Sequence, residues 1–367
     1  MINEVHVKGF RGLQDFTMSN LGRINLLVGT NNSGKSSILE AIELISSKGS
    51  VRPIWSATSR RGERLWFDDD SRRYTEADVS HLFYSHRFAV GSKIEICTRS
   101  EASQNQFSMN VVTLPEGSID PGQDVPPSEL SDQLGLELEW NNRLTRFPLL
   151  VPLTPRNGLS NRYINRSSTD RIYSPPVQFI STAALSPDEV LSLFDEVVLS
   201  PEEDLLVDAL RTIEPDIERI ASIGSDRSRF ASIVRQGNIV VKLFNHRDRI
   251  PIGSMGDGIW RMLGIALSLV SAKDGILLID EIDTGLHYSV LTKMWHLVKT
   301  TSERLNVQVF ATTHSRDCYE SLASISREGI SDGSTVTIQR VEKNSKTAIS
   351  FSEQEIVAAS ERGIEVR

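Results

Sequence analysis

The feature that most constrains this chain is a glycine-rich loop near its N-terminus, placed between a predicted strand and a predicted helix. Residues 24–28 are typical of a short buried strand, and residues 36–45 of a helix whose apolar side chains share one face. A strand, a tight turn and a helix N-terminus direct backbone N–H groups and the positive end of a helix dipole at one point, which attracts phosphate. The loop fits the spacing G-x-x-x-x-G-K-[ST] and consists of Gly29, Thr30, Asn31, Asn32, Ser33, Gly34, Lys35 and Ser36.

This loop predicts a nucleotide site in which several residue types have a physical role. Gly29 and Gly34 let the backbone curl tightly and approach the ligand. Lys35 is long enough to reach the β- and γ-phosphates, and the hydroxyl of Ser36 is suited to holding Mg²⁺. The sequence therefore predicts that the loop binds a nucleotide together with its metal.

Composition restricts the class of protein. The 367 residues suffice for two domains or for one large α/β domain with insertions. No apolar run approaches the length of a membrane span, and the first residues lack the pattern of a signal peptide. The two cysteines, Cys97 and Cys318, lie far apart and outside any metal-type cluster, which predicts ordinary thiols in a reducing cytoplasm. A net charge of −8 argues against a basic nucleic-acid coat.

The pattern along the chain predicts three segments. Residues 1–185 contain the first strands and the glycine-rich loop, followed by short alternating runs and long loops typical of an antiparallel β layer. Residues 186–229 are predicted to form a short helical insertion, with Ser186 and Ser200 as helix N-caps that each precede a proline. Residues 230–367 contain a strand pair, then a glycine cluster followed by a helix, and then two apolar strands separated by a second helix. A final strand pair and a helix follow.

A second group of candidate residues follows the apolar strand predicted at 276–279. Asp280 and Glu281 come directly after it. Since parallel sheets bind ligands at the carboxyl ends of their strands, these carboxylates are expected beside the phosphate-binding loop. Asp280 is predicted to hold Mg²⁺ through water, and Glu281 to orient or deprotonate the attacking water. The structural alternative is a pair of solvated acids that cap the next helix.

A histidine follows another apolar strand, predicted at 307–311. His314 lies between Thr313 and Ser315, at the end of a strand expected to neighbour the one that ends at Asp280. A histidine at this point is suited to donate to the γ-phosphate and to sense its loss. Lone histidines are more often structural or surface residues, so this role depends on the resemblance described next.

Taken in order, these motifs resemble those of the ABC-type ATPases of the SMC, RecF and OLD (overcoming lysogenization defect) group, above all the stand-alone OLD-like ATPase domain. The resemblance implies an α/β fold: an ABC-type P-loop NTPase with a mixed β-sheet core, an antiparallel β layer and a short helical insertion. It also implies ATP and Mg²⁺ as cofactors, with Lys35, Glu281 and His314 as catalytic residues and Ser37 as a further nucleotide contact. The stretches that carry it are Phe10-Arg11-Gly12 with residues 24–37, residues 279–287 and residues 311–315.

The resemblance places a signature loop at residues 253–258, before a predicted helix. Ser254 and Gly256 match the serine and the second glycine of the family signature, whereas Met255 and Asp257 depart from it. By resemblance, Ser254 and the helix N-terminus bind the γ-phosphate held by a second copy of the chain, so that ATP joins two copies head to tail. The alternative is a glycine loop that only caps the helix.

Four further residues are placed by resemblance alone. Arg11 is expected to contact the phosphates or to link them to the signature loop. Asp283 and His287 lie where the family has its D-loop, which crosses the interface between copies. The Q-loop glutamine has no clear match, and Gln178, after two prolines, is a weak candidate.

Two segments found in relatives of this group have no counterpart in this sequence. Only the short helices near residues 186–229 stand where SMC proteins carry long coiled coils, and too few residues follow His314 for the TOPRIM nuclease domain of full-length OLD nucleases. We therefore expect an ATP-dependent oligomeric switch that controls a separately encoded nuclease or toxin, by resemblance in bacterial anti-phage defence. The alternative is a RecF-like or SMC-like DNA-repair ATPase that clamps DNA directly. The diverged signature and the β insertion argue against a transporter subunit.

One basic segment contrasts with the negative net charge. Residues 143–171 carry six arginines and a single acid, Asp170, with Phe147 and Tyr163 interleaved. Such a segment is suited to nucleic-acid phosphates, to an acidic partner or simply to solvent. It is the candidate contact for a nucleic-acid or phage trigger. The arginines are Arg143, Arg146, Arg156, Arg162, Arg166 and Arg171.

Overall fold

The computed structural model describes residues 1–48, 50–69, 72–114, 133–140, 148–154, 156–160, 176–223, 238–244, 246, 248–328, 336–364 and 366. The chain divides into two compact units. Unit 1 comprises Met1–Leu21, Thr30–Ser174 and Val341–Ile349, and unit 2 comprises Gly22–Gly29, Pro175–Arg340 and Ser350–Arg367.

The secondary-structure elements are numbered in chain order. The strands are β1 (Glu4–Phe10), β2 (Leu13–Met18), β3 (Ile24–Val28), β4 (Arg64–Asp69), β5 (Arg72–Asp78), β6 (Lys93–Arg99), β7 (Gln104–Thr113), β8 (Leu134–Trp140), β9 (Leu149–Pro152), β10 (Gly158–Ser160), β11 (Val177–Ile180), β12 (Ile217–Ile223), β13 (Asn238–Leu243), β14 (Ile250–Pro251), β15 (Ile276–Ile279), β16 (Gln308–Thr312), β17 (Val336–Arg340) and β18 (Ile349–Ser352). The helices are α1 (Lys35–Ser46), α2 (Arg52–Arg60), α3 (Pro187–Val197), α4 (Glu203–Arg211), α5 (Asp257–Ser271), α6 (Tyr288–Arg304), α7 (Arg316–Glu328) and α8 (Glu353–Glu361).

Unit 1 is built on antiparallel sheets. One sheet has the order β2-β1-β6-β7-β8-β9, and a smaller sheet has the order β10-β5-β4; neighbouring strands in both are antiparallel. Alternate residues of β1 and β6 are buried, among them Val5, Val7, Ile94 and Ile96, and α1 packs against both strands. This alternation is what a sheet with one covered face requires. The predicted antiparallel β layer is therefore confirmed.

Unit 2 is built on a sheet with the order β11-β15-β16-β3-β17-β18, in which the pairs from β11 to β17 are parallel. All residues of β3, β15 and β16 are buried, as expected for strands covered on both faces. Asn25 is a polar residue within this core. Its side chain is satisfied by Gly22, by the carbonyl of Val309 and by the hydroxyl of Thr337. Together with unit 1, this sheet confirms the predicted α/β class with a mixed set of sheets.

Helix α5 is central to unit 2, because it packs against α3, α4, α6 and β11. The predicted helix N-cap at Ser186 is confirmed: its hydroxyl accepts from the backbone N–H of Glu189, whose carboxylate in turn accepts from Ser186. The N-cap predicted at Ser200 is wrong, since Ser200 accepts from the N–H of Glu202 in a preceding turn and α4 begins only at Glu203.

The contact-based units differ from the three predicted segments. Both predicted boundaries, after residues 185 and 229, fall within the stretch Pro175–Arg340 of unit 2, and unit 2 also takes β3 from the N-terminal part of the chain. The division into segments 1–185, 186–229 and 230–367 stays a prediction about sequence organisation.

Candidate nucleotide site

The glycine-rich loop follows β3 and leads into α1, as its sequence predicts. Gly29 has a φ of 142° and Gly34 a φ of 104°, so both need the conformational freedom of glycine. At Gly34 space is also restricted, because a Cβ atom there would lie 2.9 Å from the Leu13 side chain. Helix α1 begins directly after Gly34, and the Ile38 N–H donates to the Gly34 carbonyl at 2.9 Å.

Helix α1 presents a favourable end to an anion. Its cap residue Gly34 offers no side-chain hydrogen bond, and its first turn carries no acidic residue. Lys35 is only 5% exposed, and its Nζ donates to the Thr30 carbonyl at 2.9 Å and lies 3.4 Å from the Ser33 hydroxyl. The ammonium is thus folded over the loop rather than extended into solvent. A carbonyl and a hydroxyl are weaker partners for a cation than phosphate oxygens are.

A cavity of about 490 Å³ lies beside this loop in unit 1. Ser33 of the loop lines it together with Leu13, Tyr84, Asn344 and Lys346. This volume is within the range of small-molecule sites, which mix apolar walls with a few polar groups.

Arg11 is held by carboxylates of unit 1. Its Nε lies 2.5 Å from Glu40 of α1, and its Nη1 and Nη2 donate to the two Glu63 oxygens at 2.7 and 3.1 Å. Arg61 lies on the other oxygen of Glu40 at 2.8 Å, so this buried acid sits between two arginines. The proposed contact of Arg11 with phosphates stays a prediction, while the observed contacts tie the β1–β2 turn to α1.

The carboxylates predicted after the buried strand of unit 2 are found at the end of β15. The Asp280 side chain accepts from the hydroxyl of Thr312 at 2.6 Å and from that of Thr182 at 3.4 Å. Thr182 follows β11 and Thr312 is the last residue of β16. Since β15 lies between these two strands in the sheet, the two donors reach Asp280 from both sides. Asp280 is thus presented as a hydrogen-bonded acceptor of the kind that Mg²⁺ prefers.

Glu281 occupies an unusual backbone conformation. Its φ is +47°, which disfavours any residue other than glycine. Its N–H donates to the Thr312 hydroxyl at 2.8 Å, and its carboxylate accepts from the Thr284 hydroxyl at 3.2 Å. Residues in this conformation persist only where their surroundings hold them, and here Thr312 holds the N–H of Glu281 and Thr284 its carboxylate.

One residue of this region was missed by sequence reasoning. Arg261 of α5 is 3% exposed, and it donates to the carbonyls of Ser181, Asp280 and Glu281 at 2.9, 2.9 and 2.8 Å. Burial lowers the pKa of Arg261, while the charges of Asp283, Asp280 and Glu281 oppose that shift. The available signal was an arginine inside an otherwise apolar helical run.

His314 follows β16 and is exposed at its predicted place. The residue before it is fixed: the Thr313 hydroxyl donates to Asp283 at 2.6 Å and accepts from the Ser315 N–H at 2.9 Å. These contacts bring two predicted motifs of unit 2 together, the segment of Asp283 and the segment of His314. His287, predicted in the D-loop, is the N-cap of α6 and accepts from the Ser289 N–H.

The predicted signature loop forms a 3₁₀ turn, Ile252–Met255, followed by Gly256 with a φ of 97° and by α5. Ser254 and Gly256 are exposed, and Gly256 gives the helix no side-chain cap. A Cβ atom on Gly258 would lie 3.3 Å from the carbonyl of Gly285, so the start of α5 packs closely on the segment that follows Glu281.

The remaining candidates are partly placed. Gln178 lies in β11, opposite Leu277 of β15. Of the six arginines in the basic segment, Arg156 is described and is exposed in the turn between β9 and β10. The others, Arg143, Arg146, Arg162, Arg166 and Arg171, lie outside the described residues.

Over the described part of the chain, no group of three or more His, Cys, Asp or Glu side chains is arranged to hold a metal. That Ser36 and Asp280 hold Mg²⁺ stays a prediction. Among the same residues, no helix is long and apolar enough to cross a membrane.

Comparison with known proteins identifies the family. A family model described as "AAA domain, putative AbiEii toxin, Type IV TA system" matches residues 24–317, from β3 to the start of α7. This chain belongs to that AAA-domain family. The match spans the glycine-rich loop, the carboxylates after β15 and His314.

Two relatives are similar to this chain over most of its length. The chain is 23% identical over 348 residues to an "ATP/GTP phosphatase" of Helicobacter pylori, covering 89% of each chain. It is 25% identical over 353 residues to the DNA replication and repair protein RecF of Acinetobacter baumannii, covering 86% of this chain and 91% of the relative.

Solved structures show the same fold. An Smc head bound to the C-terminal domain of ScpA, from Pyrococcus furiosus, aligns with a TM-score of 0.55 over 98% of both chains at 12% identity. An SmcHead bound to the C-winged helix domain of ScpA aligns with a TM-score of 0.53 at 13% identity, covering 96% of this chain and 97% of the other. The chain therefore has a P-loop ATPase fold like that of an Smc head, and the narrower OLD-like assignment stays a prediction.

Proposed function

We propose that the protein binds and hydrolyses ATP with Mg²⁺ in the cytoplasm. The carrying observation is the glycine-rich loop, in which Lys35 is folded over the uncapped start of α1. The loop N–H groups and Lys35 would bind the phosphates, with Ser37 as a further contact, and the cavity lined by Ser33 would take the nucleoside. Ser36 and Asp280 would hold Mg²⁺, which neutralises phosphate charge during transfer.

In this proposal Glu281 orients the attacking water and accepts its proton. The strained turn and the bond from Thr284 support the role, because both restrict where the carboxylate points. His314 would donate to the γ-phosphate and respond to its release, as its exposed place after β16 permits.

Replacing Glu281 with Gln tests the catalytic proposal. The amide keeps the shape of the side chain and cannot accept the proton, so ATP binding should persist while turnover falls about 100-fold or more. The matched control is Glu303→Gln, which changes an exposed glutamate on α6 of the same unit and should hydrolyse ATP normally. Unchanged turnover in Glu281→Gln would remove Glu281 from this role.

We propose further that ATP joins two copies of the chain. The supporting feature is the exposed loop of Ser254 and Gly256 at the uncapped start of α5, which is suited to an anion presented from outside the subunit. The Glu281→Gln variant is expected to bind ATP without hydrolysing it. Its associated form should therefore accumulate when ATP is added. Sizing by light scattering with and without ATP measures this directly.

The associated and free forms would control a separately encoded nuclease or toxin in anti-phage defence. The family description, which names a putative toxin of a type IV toxin–antitoxin system, supports a toxin–antitoxin setting and does not assign the toxin to a separate chain. The arginines between residues 143 and 171 are the proposed contact for this partner or for a nucleic-acid or phage trigger. Purification from the native host should yield the partner, and the chain alone should neither cut DNA nor kill cells.

The second candidate is a DNA-maintenance ATPase that clamps DNA. It is favoured by the similarity to a RecF protein over most of both chains. Duplex DNA should then stimulate ATP hydrolysis by the purified chain, with a steep dependence on salt. An effector switch predicts no such stimulation in the absence of its partner.

A further inference from the structure

Arg261 is a buried cation that joins two turns of unit 2. Its Nη1 donates to the carbonyl of Ser181, just after β11, and its Nη2 donates to the carbonyls of Asp280 and Glu281, just after β15. One guanidinium on α5, a helix that packs against β11, therefore holds the carboxyl ends of two neighbouring parallel strands. Its planar fork of donors suits this spread of acceptors better than the single ammonium of a lysine.

A buried arginine is a poor choice at this position if its only role is to stabilise the fold. Neighbouring positions of α5, such as Met262 and Leu263, are fully buried apolar residues, and an apolar side chain at 261 would avoid burying a charge. The direct partners of Arg261 are main-chain carbonyls rather than carboxylates. Its charge therefore lies close to Asp280 and Glu281, while its hydrogen bonds go to their main-chain carbonyls and not to their carboxylates.

The peptide groups around Glu281 are fixed from both sides. The Glu281 carbonyl is held by Arg261 at 2.8 Å, and its N–H is held by Thr312 at 2.8 Å. Between these two bonds the residue keeps a φ of +47°. Releasing the carbonyl would let the residue relax towards an ordinary conformation and turn its carboxylate away.

We propose that Arg261 is a positioning residue for ATP hydrolysis: it holds Glu281 in the conformation that directs its carboxylate at the attacking water. Because Arg261 stands on α5, it also connects the exposed loop of Ser254 to the catalytic turn. This inference rests on the proposed hydrolysis of ATP.

The test is the steady-state ATPase of Arg261→Gln and Arg261→Lys, with ATP affinity measured separately. Arg261→Gln should lower kcat about 10- to 100-fold, as loss of an outer partner of catalytic or metal-binding groups does, and should leave KM and ATP affinity unchanged. Arg261→Lys should give an intermediate kcat, since an ammonium reaches fewer of the carbonyls. The matched control is Arg211→Gln, which removes another arginine that donates to a main-chain carbonyl, that of Ile217 at 2.8 Å, and should hydrolyse ATP like wild type.

The outcomes separate this inference from the proposed function. Absence of ATPase activity in wild type and Arg211→Gln would refute the proposed function. An active wild type, an inactive Glu281→Gln and an Arg261→Gln variant with normal kcat would overturn the positioning role alone. Equal losses of ATP affinity and kcat in Arg261→Gln would overturn it as well, by showing a structural residue. If Arg261→Gln does not fold, Arg261→Lys decides: a lowered kcat at unchanged KM supports the role, and a normal kcat overturns it.

Discussion

Replacing Thr312 with Val would test how the carboxylate turn of unit 2 is held together. Thr312 is 1% exposed, and its hydroxyl makes two bonds at once. It donates to the Asp280 carboxylate at 2.6 Å and accepts from the Glu281 N–H at 2.8 Å. Valine has the same shape and makes neither bond, so the substitution removes the hydrogen bonds without opening a cavity.

The expected size of the effect follows from these two bonds. A hydrogen bond to a charged group contributes about 1.5–3 kcal/mol, and a buried N–H left without an acceptor costs about 1–3 kcal/mol. Asp280 keeps its bond from Thr182, which favours the lower half of the first range. We therefore expect Thr312→Val to lower the free energy of unfolding of unit 2 by about 3 kcal/mol.

Thr312→Ser is the matched control. Serine keeps the hydroxyl and loses one methyl group, which costs about 1 kcal/mol in a packed position. Urea unfolding followed by tryptophan fluorescence reports on both units, because three tryptophans lie in unit 1 and Trp260 and Trp295 lie in unit 2. The transition whose midpoint differs between the two variants is the one assigned to unit 2. The valine variant should show a lower midpoint than the serine variant at an equal slope. Equal midpoints for the two variants would refute the reasoning, since the hydroxyl would then contribute nothing.

Three further predictions concern other parts of the chain. Lys35→Ala should abolish ATP binding, measured by calorimetry, while circular dichroism stays that of the folded protein; normal affinity would refute the phosphate-binding role. Ser254→Arg should bind ATP as a monomer and fail to associate, because a bulky cation fills the exposed loop at the start of α5; oligomers of wild-type size in ATP would leave Ser254 as a part of the helix start only. Burial raises the pKa of both thiols, and most strongly that of fully buried Cys318. Since the thiolate is the reactive form, alkylation of the native protein at mildly alkaline pH should be slow and should modify Cys97 before Cys318; mass spectrometry that finds Cys318 modified first would contradict this.

Much of the fold could be predicted from local pattern. The strand Ile24–Val28 has the predicted bounds, because a short and largely apolar run is typical of a strand covered on both faces. The Ser186 cap was recognisable because its bonds lie within one turn of the chain. The cap predicted at Ser200 failed because the same local signal also closes a plain turn, and the residues after it decide whether a helix follows.

The sequence by itself determined the motifs, because these depend on short spacings and on the ends of strands. They are the phosphate-binding loop, the carboxylates after β15 and the histidine after β16. Tertiary structure alone decided what holds them. Arg261, Thr182 and Thr312 reach the turn of Asp280 and Glu281 from three separate segments of unit 2, through main-chain carbonyls, an amide and one carboxylate. Every residue carries a carbonyl and every residue except proline carries an N–H, so such contacts leave no mark in the spacing of residue types. They become visible only once the sheet places β11, β15 and β16 side by side with α5 packed against β11.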